Sequence, residues 1–149
     1  MSVIGDIAER WLKTAVAAYP AKSRPFLAAD GDPFRNPVGH TLRDNLAVLV
    51  RECLGAMNPE AVETAIDALI RLRAVQDLSP ADALRFIFEL RAIALDSGTP
   101  LPADFSARVD TIALLAFDKY MACREQIFDL RARELRSRLQ LSAMEGSLT

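Results

Sequence analysis

Three times in this chain a small polar residue is followed at once by proline: Asn36-Pro37, Asn58-Pro59 and Ser79-Pro80. Asn and Ser are favoured N-caps because their side-chain oxygens accept hydrogen bonds from the orphan N–H groups of a helix's first turn. Proline in the next position lacks only a donor that would go unused, and its φ is already helical. Glu60 and Asp82 add negative charge at two of these helix starts, where the positive dipole end favours it. No strand alternation, long repeat or low-complexity segment competes with these signals, so the chain reads as all-α.

The spacing predicts a first helix over Val3 to Tyr19, with Ile7, Trp11, Leu12, Ala15 and Tyr19 on one face and Asp6, Glu9, Arg10 and Lys13 off it. Pro20 ends it. The stretch Ala21–Asn36, with Pro25, Gly31 and Pro33, is long for a connection in a compact bundle, and Phe26 and Phe34 are expected to pin it down. The helix from Asn36-Pro37 buries Val38, Leu42, Leu46, Leu49 and Cys53. The next two span Pro59–Gln76 and Pro80–Asp96. The second of these is apolar nearly all round, which predicts a central position. Ser97-Gly98-Thr99-Pro100 breaks it, Leu101–Phe105 connects onward, and Pro102 or Ser106 opens the last helix.

That last helix has no glycine or proline to at least Leu139, enough for roughly 50 Å at 1.5 Å per residue. Val109, Ile112, Leu115, Ala116, Tyr120 and Cys123 give its first half a core-facing stripe. Farther on, Ile127, Phe128, Leu130, Leu135 and Leu139 stand among Arg131, Arg133, Arg136 and Arg138. Two readings fit a stripe that narrows as charge increases: an interaction helix leaving the body to pair with another helix, or a frayed amphipathic tail. The expectation is one domain of about five to seven helices over residues 1–142, with a disordered tail over 143–149.

At 149 residues, 51% hydrophobic, the chain can bury a core without metal or disulfide staples. A net charge of −2 argues against a general nucleic-acid or anionic-membrane binder. Asp6, Glu9 and Arg10 interrupt the first apolar segment, so no signal peptide opens the chain, and no apolar run is long enough to span a bilayer. A cytoplasmic protein is expected. Cys53 and Cys123, seventy residues apart without C-x-x-C spacing, read as buried reduced thiols.

His40 is the only histidine, so no histidine cluster can hold a metal and a Ser or Cys nucleophile would have one imidazole at most. With no G-x-S-x-G elbow and no Gly-rich phosphate loop, no enzyme and no cofactor are expected. His40 itself reads as a satisfied structural residue in the first turn of its helix. Trp11 and the helix count would suit a globin-like chain, but no proximal histidine follows position 40. Tyr120, Met121 and Cys123 could ligate iron only from segments that packing already explains.

Arg73 and Gln76 are the polar residues out of place. Relative to Val62, Arg73 points about 20° and Gln76 about −40° around the helix, inside the stripe of Ile66 and Leu69, whereas Arg71 lies opposite. Arg73 therefore either pairs with a carboxylate (Asp30, Asp32 or Asp82), or snorkels to water or caps carbonyls near its helix end.

The segment DPFRNPVGHT at Asp32–Thr41, followed by AIDALIRLRAVQDLSPADALRFIFELRAIA, resembles the N-terminal domain of the RsbRD type. That domain heads the RsbT co-antagonist proteins of the bacterial stressosome. The resemblance covers roughly Trp11 to Ile93 and rests on Asn36-Pro37-Val38-Gly39 with the adjoining His40, on Arg73–Gln76, and on Ser79-Pro80. It implies a signal-input or protein-interaction module with a dimeric, globin-like fold lacking haem, whose terminal helix leads into an output domain. No output domain follows here, so a stand-alone variant is expected, working as a homodimer on a separate signalling protein. A small ligand acting near the third and fourth helices would be its input. The alternative is a small-molecule- or haem-binding globin-like carrier or sensor.

Overall fold

The computed structural model of the chain describes residues 2–17, 36–76 and 78–148. They form five helices: α1 (Val3–Val16), α2 (Pro37–Leu54), α3 (Pro59–Ala74), α4 (Pro80–Asp96) and α5 (Phe105–Leu148). No strand occurs among the described residues. The caps form as the sequence dictates. Asn36 Oδ1 accepts from the Gly39 N–H at 3.0 Å, Asn58 Oδ1 from Ala61 at 3.1 Å, and Ser79 Oγ from Asp82 at 3.2 Å. Ser2 does the same for α1 through the Gly5 N–H at 3.1 Å.

The Asn36 cap also explains the glycine three residues on. A Cβ at residue 39 would run into the Asn36 carboxamide, so Gly39 leaves the space in which the cap sits. Both residues are buried. Asn36→Ala should therefore lower stability by about 1–2 kcal/mol, the upper half of the range for lost N-caps. Urea unfolding of the two proteins measures it directly.

The helices close a ring around one core, with neighbours in the order α1, α2, α3, α5, α4 and back to α1. Trp11 and Leu12 from α1, Leu46 from α2, Ile66 and Leu69 from α3, Ile87 from α4 and Ile112 from α5 meet inside it, each no more than 1% exposed. Arg108 of α5 fastens the α2 end by donating to the carbonyls of Cys53 (3.1 Å) and Gly55 (2.7 Å). Between α1 and α2, Arg43 pairs with Glu9.

Several expectations shift. The first helix stops at Val16, with Ala17 as its C-cap, and α3 stops at Ala74. The expected loop and its anchors Phe26 and Phe34 lie outside the described residues, as does Tyr19. Helix α4 is not central: it packs mainly on α1 and α5, and Phe88 and Leu95 are exposed. Its surplus apolar residues line a surface groove, which periodicity on one helix cannot distinguish from a second core face. Helix α5 runs on through residues 143–148, where the sequence suggests a tail; its only late breaker, Gly146, falls in the last turn, where fraying is already cheap. At 44 residues it is about 65 Å long.

Candidate functional site

Two features stand out from the packed body, and both adjoin the turn between α3 and α4. The first is built around Arg73. It is 1% exposed, at the end of α3, and its Nη2 donates to the Ala15 carbonyl of α1 at 2.6 Å. Its guanidinium carbon lies 4.7 Å from the centre of the Phe86 ring of α4. Phe86 in turn stands 5.9 Å, ring to ring, from Trp11, whose Nε1 donates to the Phe86 carbonyl at 2.6 Å. Arg73 is thus held by a carbonyl and an aromatic face from two other helices. It does not snorkel. Of the carboxylates suggested by sequence, Asp82 pairs with Arg85 at 3.3 Å, and Asp30 and Asp32 lie outside the described residues.

Beside this cluster is a cavity of about 300 Å³ lined by Thr14 and Ala17 of α1, Arg73 of α3, Leu78, and Asp82, Arg85, Phe86 and Glu89 of α4. Its wall is tied to α5, because the Tyr120 hydroxyl donates to the Leu78 carbonyl at 2.8 Å and Arg124 donates to the Ala74 carbonyl at 3.1 Å. Gln76, half-buried, and Ser79, the exposed α4 cap, complete the turn.

The second feature is apolar. A groove of about 470 Å³ runs between α4 and α5, lined by Pro80, Ala81, Leu84, Arg85, Phe88, Ala113, Leu114 and Phe117. Arg85 borders both the cavity and the groove. From the groove an apolar seam continues along α5 through Leu114, Phe117, Met121, Phe128, Leu135 and Leu139, each between 38% and 70% exposed. At about 100° per residue these six directions fall within about 60° of each other. The seam is distinct from the core stripe of Val109, Ile112, Ala116 and Tyr120, which is buried.

The residues singled out by sequence therefore separate into three jobs. Asn36, Pro37 and Gly39 build the start of α2, with His40 half-buried in its first turn and its N–H on the Asn36 carbonyl at 3.1 Å. Arg73, Gln76 and Ser79 frame the α3–α4 turn. Phe128 and Leu135 lie on the seam, whereas Ile127 and Leu130 continue the core face, Ile127 packing at its edge. Sequence reasoning missed the near half of the seam. Leu114, Phe117 and Met121 do share a face with Phe128 and Leu135, a repeat visible once two stripes rather than one are sought on the same helix.

Among the described residues, no group of three or more His, Cys, Asp or Glu side chains stands close enough to hold a metal, and no helix is long and apolar enough to cross a membrane. Tyr120 is hydrogen-bonded to Leu78 and Met121 lies on the exposed seam. Cys53 is free and buried, Cys123 free and half-buried. Burial pushes the Cys53 thiol up to about 12, with the nearby Arg108 opposing it. Since the thiolate is the nucleophile, Cys53 should resist a disulfide reagent at mildly alkaline pH while Cys123 reacts. Thiol counting before and after denaturation tests this: two fast thiols in the native protein would contradict it.

Comparison with known proteins adds a lineage to this geometry. The family model described as the RsbT co-antagonist protein rsbRD N-terminal domain matches residues 5–135. A protein of Archaeoglobus fulgidus, described as uncharacterized, is 28% identical over 141 residues, which covers 91% of this chain and 86% of that one. No solved structure matches.

Proposed function

The chain belongs to the RsbT co-antagonist protein rsbRD N-terminal domain family, and from that premise we propose that it is a cytoplasmic signal-input domain that acts through protein–protein contact. It works as a homodimer and regulates a signalling partner through the surface around its terminal helix.

One observation carries this reading: the seam from Leu114 to Leu139. It stretches about 37 Å along α5 and holds six large apolar side chains in water. Scattered exposed leucines are ordinary on a monomer, but large apolar side chains aligned on one face over this length mark a contact surface. Leu114, Met121, Phe128 and Leu135 recur every seven residues, the heptad spacing that suits helix pairing.

The charges beside the seam favour a second copy in parallel orientation. Arg124, Arg131 and Arg138 run along one edge, and Asp118, Glu125 and Asp129 along the other, with Arg136 the exception. Parallel pairing sets the basic edge of one helix against the acidic edge of its twin, whereas antiparallel pairing would oppose like charges. Two arms side by side would leave Arg133 and Glu134 on the outer faces for a partner protein. Light scattering coupled to size exclusion tests the dimer, and a clean monomer at high micromolar concentration would sink it.

A further inference from the structure

The groove between α4 and α5 keeps three large apolar side chains in the open: Phe88, Leu114 and Phe117 are 48%, 70% and 46% exposed. A pocket for a small metabolite is apolar too, but a few placed polar groups orient what it binds. Here the one charged side chain at the rim, Arg85, is already paired with Asp82. The groove therefore suits the apolar side chains of a protein.

Its direction says which protein. Taking Phe128 as zero, Ala113 points about −60° around α5, Phe117 about −20° and Leu114 about 40°, so the groove opens on the same side as the seam. Leu114 and Phe117 belong to both surfaces, and any helix that pairs along the seam lies across the mouth of the groove. Helix α4 flanks α5 on the side of the basic edge, where its Arg91 bonds Ser106 and Asp110. In a parallel pair that side faces the acidic edge of the twin. Leu114 is displaced toward its own acidic edge, so the twin's Leu114 is aimed at α4. Two-fold symmetry makes the exchange reciprocal.

We infer that a second copy of this chain completes the groove. Leu114 of each protomer enters the groove of the other, between Leu84 and Phe88 of α4 and Phe117 of α5. The contact then extends from the projecting helices onto the two bodies. This rests on the parallel homodimer argued above, and it adds α4, which carries none of the seam, to the interface.

Sedimentation of Phe88→Glu over a concentration series tests it. Phe88 is off the seam and half-exposed, so the variant keeps its fold, which far-UV circular dichroism checks. Both grooves of a dimer lose an apolar wall, and the dissociation constant should rise at least about thirtyfold. Val3→Glu, on a residue of α1 that is equally exposed, should leave it unmoved. Cross-linking gives a second reading. With Phe88→Cys and Leu114→Cys placed in separate chains that also carry Cys123→Ser, mixing under mild oxidation should join residue 88 of one chain to residue 114 of the other. An apolar dye should bind the monomer made by Phe128→Glu with Leu135→Glu and be excluded from the parent dimer. Dye bound once per chain by that dimer would put a small molecule in the groove and overturn the inference. A dimer that ignores Phe88→Glu and forms no 88–114 bond defeats the groove alone, whereas a parent chain that is monomeric throughout takes the homodimer down with it.

Discussion

Phe128→Glu combined with Leu135→Glu should turn the proposed dimer into a monomer without unfolding it. In a single chain both side chains are already more than half exposed, so the substitutions remove no core packing, and glutamate is a good helix former. In a parallel pair each residue meets its own copy. Four large apolar side chains per dimer are then lost from the contact, at about 1.5 kcal/mol or more apiece, some 6 kcal/mol in all. Two pairs of like charges are brought together in their place. At tenfold per 1.4 kcal/mol, the dissociation constant should rise by more than about a thousandfold. Analytical ultracentrifugation over a concentration series reads this shift, and far-UV circular dichroism should show the helices intact. Arg133→Ala, on the far side of α5, should leave the dimer as it was. A double variant that sediments like the parent chain would mean that the seam pairs with nothing of its own kind.

How much of this could be seen beforehand depends on how local each cause is. The starts of α2, α3 and α4 were legible because a cap and a proline act within one turn, and all three caps form at the marked residues. The ends were less so. Val75 and Ala17 close their helices in ordinary helical geometry, without the glycine that would announce a stop. Arg73 was legible as a cation inside an apolar stripe, but what holds it was not. Ala15 lies 58 residues away and Phe86 on the next helix, and neither a carbonyl nor a ring face is visible in a residue pattern. The seam escaped for a different reason. Helix α5 carries two apolar stripes about 120° apart, and over its first half the buried one dominates the periodicity. Phe88 was misjudged likewise, because an apolar residue facing a groove and one facing a core look identical in sequence.

Trp11→Ala should be the most damaging single core substitution. Trp11 is fully buried, and its ring and Nε1 hold α1 to α4 through Phe86, while Phe86 carries Arg73 of α3, which returns to α1 at Ala15. Removing the indole opens a cavity at the point where three helices meet, a change that costs about 3–5 kcal/mol for large aromatic residues. For a chain of this length that corresponds to a fall in Tm of about 6–20 °C. Trp11→Phe separates the two contributions: it keeps most of the ring contact and loses only the hydrogen bond to the Phe86 carbonyl, at about 1 kcal/mol. Far-UV circular dichroism in a urea series measures all three proteins, since Trp11 is the single tryptophan and its fluorescence vanishes with it. The exposed seam on α5 should still pair in Trp11→Ala, since Trp11 is fully buried and the seam residues are not. A stability loss under about 1 kcal/mol would place the joint between α1, α3 and α4 elsewhere.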